Sequence, residues 1–144
     1  MSREYPPHPV VGVGTVVWQG ERVLLVQRGR APRRGQWSLP GGAQQLGETV
    51  ADAARREVRE EAGLEIELGE IIAIVDLIEP APGGRVRYHY TLIDFTAEAS
   101  GGALTPGDDA ADARWFALNE LPALGLWSET TRVIDLARGK RRCR

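Results

Sequence analysis

PGGAQQLGETVADAARREVREEAGL, Pro40 to Leu64, decides how the chain of 144 residues is read. A Gly-rich turn opens it, and Thr49 to Ala62 follows with no Gly or Pro and an abundance of Ala, Arg and Glu. That composition predicts a helix, which Gly63 stops. Glu57, Glu60 and Glu61 stand at i, i+3 and i+4, so they share one helix face. Carboxylates that close repel one another. Arg55, Arg56 and Arg59 offset part of the repulsion, and a hard divalent cation with oxygen ligands would offset more. A solvated Arg/Glu face accounts for the same pattern without any ligand. The flanks favour the first reading: Gly41-Gly42 leaves backbone amides and carbonyls open to a close ligand, and Glu48 sits where the chain joins the helix.

Outward from this segment the pattern is mostly β. Val10 to Trp18 and Arg22 to Gln27 read as a hairpin around Gln19-Gly20-Glu21. Residues 1–9, with three prolines, read as a loose leader. Arg28 to Gln36 is a basic loop, and Trp37 to Leu39 a short extended piece that Pro40-Gly41-Gly42 breaks. After the helix, Leu64 to Leu77 reads as a strand or strand pair, Ile78 to Gly84 as a turn, and Arg85 to Thr96 as an alternating strand. Ala97 to Asp112 reads as a loop, Ala113 to Ala117 as a short strand, and Ser128 to Arg138 as a closing helix followed by a basic tail, 138–144. Strands, helix, strands, helix predict an α+β domain, a mixed β-sheet sandwiched between α-helices.

Charge and composition exclude other classes. There are 18 basic and 20 acidic residues, a net −2, and all the basic groups but Lys140 are arginines. Such a chain is a poor neutraliser of duplex nucleic acid, so no stable nucleic-acid partner is expected. No apolar run is long enough for a membrane span. A lone cysteine, Cys143, allows no intrachain disulfide and no cysteine-based zinc site. With no secretory pattern at the N-terminus, a cytoplasmic protein is expected.

The spacing is specific. Gly42, five residues, Glu48, seven residues, Arg56-Glu57-Val58, one residue, Glu60-Glu61, one residue, Gly63-Leu64 resembles the complete signature of the Nudix hydrolases. The strand pair before it, and Arg114-Trp115-Phe116 with Asn119-Glu120-Leu121 after it, extend the resemblance over residues 10–137, within one domain spanning 1–144. The resemblance implies the Nudix fold and hydrolysis of a pyrophosphate bond in a nucleoside diphosphate linked to another moiety. It implies that Glu57, Glu60 and Glu61 bind Mg2+ (Mn2+ as substitute), with the Gly41 carbonyl as a further ligand. Gly42, Glu48, Arg56 and Gly63 would support the site. The catalytic base would be a signature glutamate or an acidic residue of a later loop, where Asp109, six residues before Trp115, is first choice.

For substrate contacts, Arg28 suits a bidentate phosphate contact; Trp37 could stack on a base, and an aromatic just before the Pro-Gly-Gly turn suits the core as well. Arg30, Arg33 and Arg34 read as solvated, and Trp18, Trp115 and Trp127 as packing. Fifteen residues separate Leu64 from Pro80, a proline spacing that resembles the ADP-ribose hydrolases of the family. Gln45 stands where the family often has an acid. ADP-ribose or a similar nucleotide sugar is therefore the expected substrate. The alternatives are a pool-sanitising (d)NTP pyrophosphohydrolase and, from another class, a non-catalytic nucleotide-sensing module. The family's habit of pairing adds a homodimer to the expectations.

Overall fold

A computed structural model describes residues 3–30 and 33–142. Pro32 of the basic loop and Cys143 lie outside the described residues. Among the described residues seven strands form one sheet: β1 (Val10–Gln19), β2 (Arg22–Arg28), β3 (Trp37–Ser38), β4 (Gly41–Ala43), β5 (Leu64–Pro80), β6 (Val86–Gly102) and β7 (Ala110–Ala117). The main order is β3-β2-β1-β6-β5, with β4 also on β1 and β7 also on β2. Strands β1 and β6 run parallel and the other pairs antiparallel, so the sheet is mixed.

Helix α1 (Val50–Ala62) covers one face. The Thr49 hydroxyl accepts from the Asp52 N–H at 3.0 Å, and Gly63 ends the helix at φ 70, a left-handed position that suits Gly. Ala53, Ala54, Val58 and Ala62 are buried, and these small side chains let the helix lie close to Val13, Val17, Leu24 and Phe95. Helix α2 (Ser128–Arg142) covers the other face. Val133, Ile134 and Ala137 meet Val16, Trp18, Leu25 and Val75 there.

Several expectations change, among them the turn at Ile78, where β5 instead runs on to Pro80. Pro40-Gly41-Gly42 is no break: Gly41–Ala43 is a strand on β1, registering Gly14 with Gly41. Most of 97–112 is strand, because β6 runs on to Gly102 and β7 starts at Ala110. The leader is docked: Tyr5 donates its N–H to the Arg87 carbonyl at 2.7 Å and lies under the Arg85 guanidinium. The basic tail is helix as far as Arg142. Arg141 makes a two-pronged bond to Glu98 at 3.0 and 3.1 Å, donates to the Gly20 carbonyl and stacks on Trp18. Each of these contacts joins segments far apart in sequence, which periodicity does not register.

Asp94, on the α2 face of β6, is 6% exposed and lies against the bare Cα of Gly14. Burial pushes its carboxyl up to about 6, against the pull of Arg132. A raised folded-state value means stability is full below pH 4 and is lost as pH rises through 6, a cost of about 3 kcal/mol. Asp94→Asn removes that cost, so the variant should be the more stable one above pH 7 and its advantage should vanish near pH 4. Urea midpoints at both pH values read this, and an advantage independent of pH would contradict it.

Candidate active site

Strands β2, β3, β4 and β7 and helix α1 enclose a cavity of about 530 Å³. Its lining includes Arg28, Arg30, Ser38, Gly41, Glu57, Glu60, Glu61, Asp108 and Asp109. Local rules place these groups. Strand β1 carries β4, and β4 presents its glycines to the glutamate face of α1.

The two glycines differ in what they tolerate. A Cβ on Gly41 would sit 2.1 Å from the Val13 carbonyl oxygen, which is backbone and fixed by the sheet. A Cβ on Gly42 would sit 2.6 Å from Glu57 Oε1, which is the movable end of a side chain. Gly42→Ala should therefore keep the fold but displace the Glu57 carboxylate. We expect turnover to fall by about 10- to 100-fold with the melting temperature nearly unchanged. Wild-type turnover in the variant would show that Glu57 has no fixed position to lose.

Glu61, like Glu57, is a half-buried member of the acidic group. Its Oε1 accepts the Gly41 N–H at 2.9 Å. Burial, with a hydrogen bond to Glu57 and that residue's charge, pushes the carboxyl up to about 9; the Gly41 amide and the Arg28 charge oppose the rise. Glu57 is also largely covered. Two facing carboxyls in a poorly solvated place are unstable together as anions.

Arg56 binds the group into one unit. Nε and Nη2 donate to the two oxygens of Glu48 at 2.7 and 3.0 Å, Nη1 to Glu57 at 2.9 Å and to Glu60 at 3.2 Å, and Nη2 also to the Ala43 carbonyl at 3.1 Å. All five guanidinium N–H donors are thus used. The Arg56 bonds hold the Glu48 carboxyl below its usual range. Glu48 also accepts the Gln45 N–H at 3.0 Å, so it ties the 44–48 turn to the helix.

The donor set suits a hard divalent ion. The group is all oxygen, and a divalent ion would add positive charge to the facing Glu57 and Glu61 carboxyls, beyond what Arg56 gives Glu57. Among the described residues, no three acidic, His or Cys side chains already lie close enough to hold an ion. Glu60 is turned to Arg56 and is more than half exposed.

Arg28 lines the cavity, with its backbone pinned by Gln36 and Gly35. Asp109 is on the rim beside Asp108. Trp37 is not among the lining residues, contrary to its expected stacking role. Successive residues of a strand face opposite ways, so Ser38 faces the cavity while Trp37 turns to the α2 side. There it meets Phe116 edge-on, ring centroids 5.0 Å apart. Trp127 is partly exposed rather than core. Ser38 and Arg30 were not foreseen at the cavity. The β2–β7 pairing that brings Arg28 opposite Ala110 leaves no mark in either strand's own sequence.

The family described as NUDIX domain matches residues 8–137. An ADP-ribose pyrophosphatase of Methanocaldococcus jannaschii is 37% identical over 117 residues, covering 81% of this chain and 67% of that one. The human 8-oxo-dGDP phosphatase NUDT18 is 30% identical over 144 residues, 92% of this chain but only 42% of the longer relative. The crystal structure of a MutT NUDIX hydrolase from Burkholderia pseudomallei superposes with a TM-score of 0.78 at 34% identity, covering 90% and 98% of the two chains.

Proposed function

The chain belongs to the Nudix hydrolase family, enzymes that cleave a pyrophosphate bond, and we propose that its substrate is a nucleoside diphosphate linked to another moiety, ADP-ribose first. One observation carries the reading: Glu57, Glu60 and Glu61 share a single cavity with Arg28. Acidic groups for a cation and a guanidinium for a phosphate meet there. The relative named for ADP-ribose supports the choice of substrate.

Glu57, Glu60 and Glu61, with the Gly41 carbonyl, would hold Mg2+, or Mn2+ in its place. When bound, the ion neutralises pyrophosphate charge and makes its water a better nucleophile. The chain's own groups do the rest. Arg28 takes a phosphate through its planar fork. Arg56 and Glu48 keep the helix face in register with β4, and Gly63 lets α1 end where Glu60 and Glu61 still face the cavity. Asp109, on the rim, accepts the water's proton. Water adds to phosphorus and the bridging P–O bond breaks, so ADP-ribose gives AMP and ribose 5-phosphate.

A panel of ADP-ribose, NADH, diadenosine polyphosphates, dNTPs and oxidised dGDP and dGTP, each with Mg2+, tests the reading. ADP-ribose should give the highest kcat/KM. The resemblance to an 8-oxo-dGDP phosphatase favours a pool-sanitising enzyme as the second reading, and faster cleavage of the oxidised nucleotides would decide for it. No cleavage of any would leave a nucleotide sensor. Arg28→Ala should raise KM about tenfold with kcat within a factor of two. A loss confined to kcat would give Arg28 another role.

A cytosolic setting and a homodimer complete the proposal. Strand β5 is a sheet edge of 17 residues that exposes Ile71, Ile74 and Ile78. An exposed apolar edge of that length calls for a cover, here a second copy. Light scattering should give twice the monomer mass, and Ile74→Glu should halve it.

A further inference from the structure

Arg30 and Asp109 close one side of the cavity's mouth. Arg30 Nη2 lies 3.1 Å from Asp109 Oδ1, both side chains are more than two-thirds exposed, and both residues line the cavity. They come from the same end of one antiparallel strand pair. Strand β2 gives way to Arg30 just past the register Arg28↔Ala110, and Asp109 immediately precedes β7.

The backbone beneath Asp109 is fixed. The Asp109 carbonyl accepts the Gly29 N–H at 3.1 Å. Upstream, Gly107 and Thr105 donate to the Glu61 and Ala62 carbonyls at 3.0 and 2.9 Å, at the C-terminal end of α1, where helix carbonyls need outside partners. What can exchange is the side chains. An exposed ion pair is weak, whereas a guanidinium binds a doubly charged diphosphate strongly and in two places.

We propose that the Arg30–Asp109 pair is a latch that the diphosphate of the substrate opens. Resting on the diphosphatase reading above, this makes Arg30 a substrate-binding residue and makes release of Asp109 a consequence of binding. In the closed state the Arg30 guanidinium is held by Asp109, and the Asp109 carboxylate is neutralised by Arg30. On binding, Arg30 transfers to a phosphate oxygen. Asp109 then keeps its charge without Arg30 beside it, at the rim where the water's proton must go. Asp109 therefore competes with the substrate for Arg30, and a carboxylate ready to accept a proton is uncovered when a diphosphate is present.

The competition gives a measurable coupling. Calorimetry with Mg2+ and the uncleavable α,β-methylene ADP-ribose reads binding, while ADP-ribose turnover reads chemistry. Asp109→Asn should tighten the analogue about threefold and lower kcat at least tenfold. Arg30→Ala should weaken the analogue about tenfold. In the double variant the tightening should be gone, leaving the affinity of Arg30→Ala alone. A threefold gain that persists without Arg30 would mean that Asp109 merely repels the anion, and wild-type affinity in Arg30→Ala would mean that Arg30 never touches it. Either result overturns the latch while the enzyme still cleaves ADP-ribose. A wild-type protein that neither binds the analogue nor cleaves any diphosphate would remove the functional reading, and the latch with it.

Discussion

Glu61→Gln should lower kcat by at least a thousandfold and leave the fold intact. Glutamine has nearly the same shape, and its carbonyl oxygen can still accept the Gly41 N–H that Glu61 accepts at 2.9 Å. The turn that carries β4 onto α1 is therefore kept. What is lost is a carboxylate oxygen that becomes negative when an ion takes its proton's place, beside Glu57. A missing charged ligand removes several kcal/mol of transition-state stabilisation, and each 1.4 kcal/mol or so is tenfold in rate. A second measurement separates lost chemistry from lost structure. Wild-type protein should gain thermal stability as Mg2+ is added, because an ion that binds only the folded state stabilises it. The variant should keep the wild-type melting temperature in EDTA and gain little from Mg2+. Full turnover in Glu61→Gln would remove Glu61 from the metal site. A collapse of the melting temperature in EDTA would make its role structural.

Arg56→Ala should be the most damaging single change to stability among the site residues. It removes five hydrogen bonds at once, and leaves Glu48, Glu57 and Glu60 facing each other without the cation that joined them. Both Arg56 and Glu48 are more than four-fifths covered, so water replaces the lost bonds only in part. Removing one partner of such a group costs about 2–3 kcal/mol after allowance for the exposed Glu60 arm. In a domain of this length that lowers the melting temperature by roughly 10 °C. Arg56→Lys keeps the charge but has a point donor in place of a planar fork, so it should recover less than half of the loss. A melting temperature within 2 °C of wild type for Arg56→Ala, on the same scale, would show that the carboxylates do not depend on it.

Most of the site was legible before folding was considered. The i, i+3, i+4 spacing of Glu57, Glu60 and Glu61 puts them on one face of any helix, and Thr49 and Gly63 mark that helix's ends within a residue. The glycines before it announced a close approach, although not that Gly41–Ala43 would be a strand on β1. Trp37 shows the limit. Its neighbours in sequence suit a ligand-facing aromatic and a core one alike, and strand alternation, which turns it to Phe116, decides. Arg30 shows the converse. It reads as one more solvated arginine until Asp109, far along the chain, is folded beside it.

The sequence by itself determined the helix, the spacing of its acids, the glycines that face them and, through these, the family and its chemistry. Those features depend on neighbours within a few turns, where backbone geometry is set by local rules. Only the tertiary structure decided which arginines meet the cavity, which aromatic leaves it, and that the basic C-terminal residues bolt α2 to Glu98 and Trp18. Those outcomes depend on β2 finding β7 and on α2 finding β6. Such pairings are chosen by burial of the whole core against the entropy of closing long loops, and no short stretch of residues records that balance.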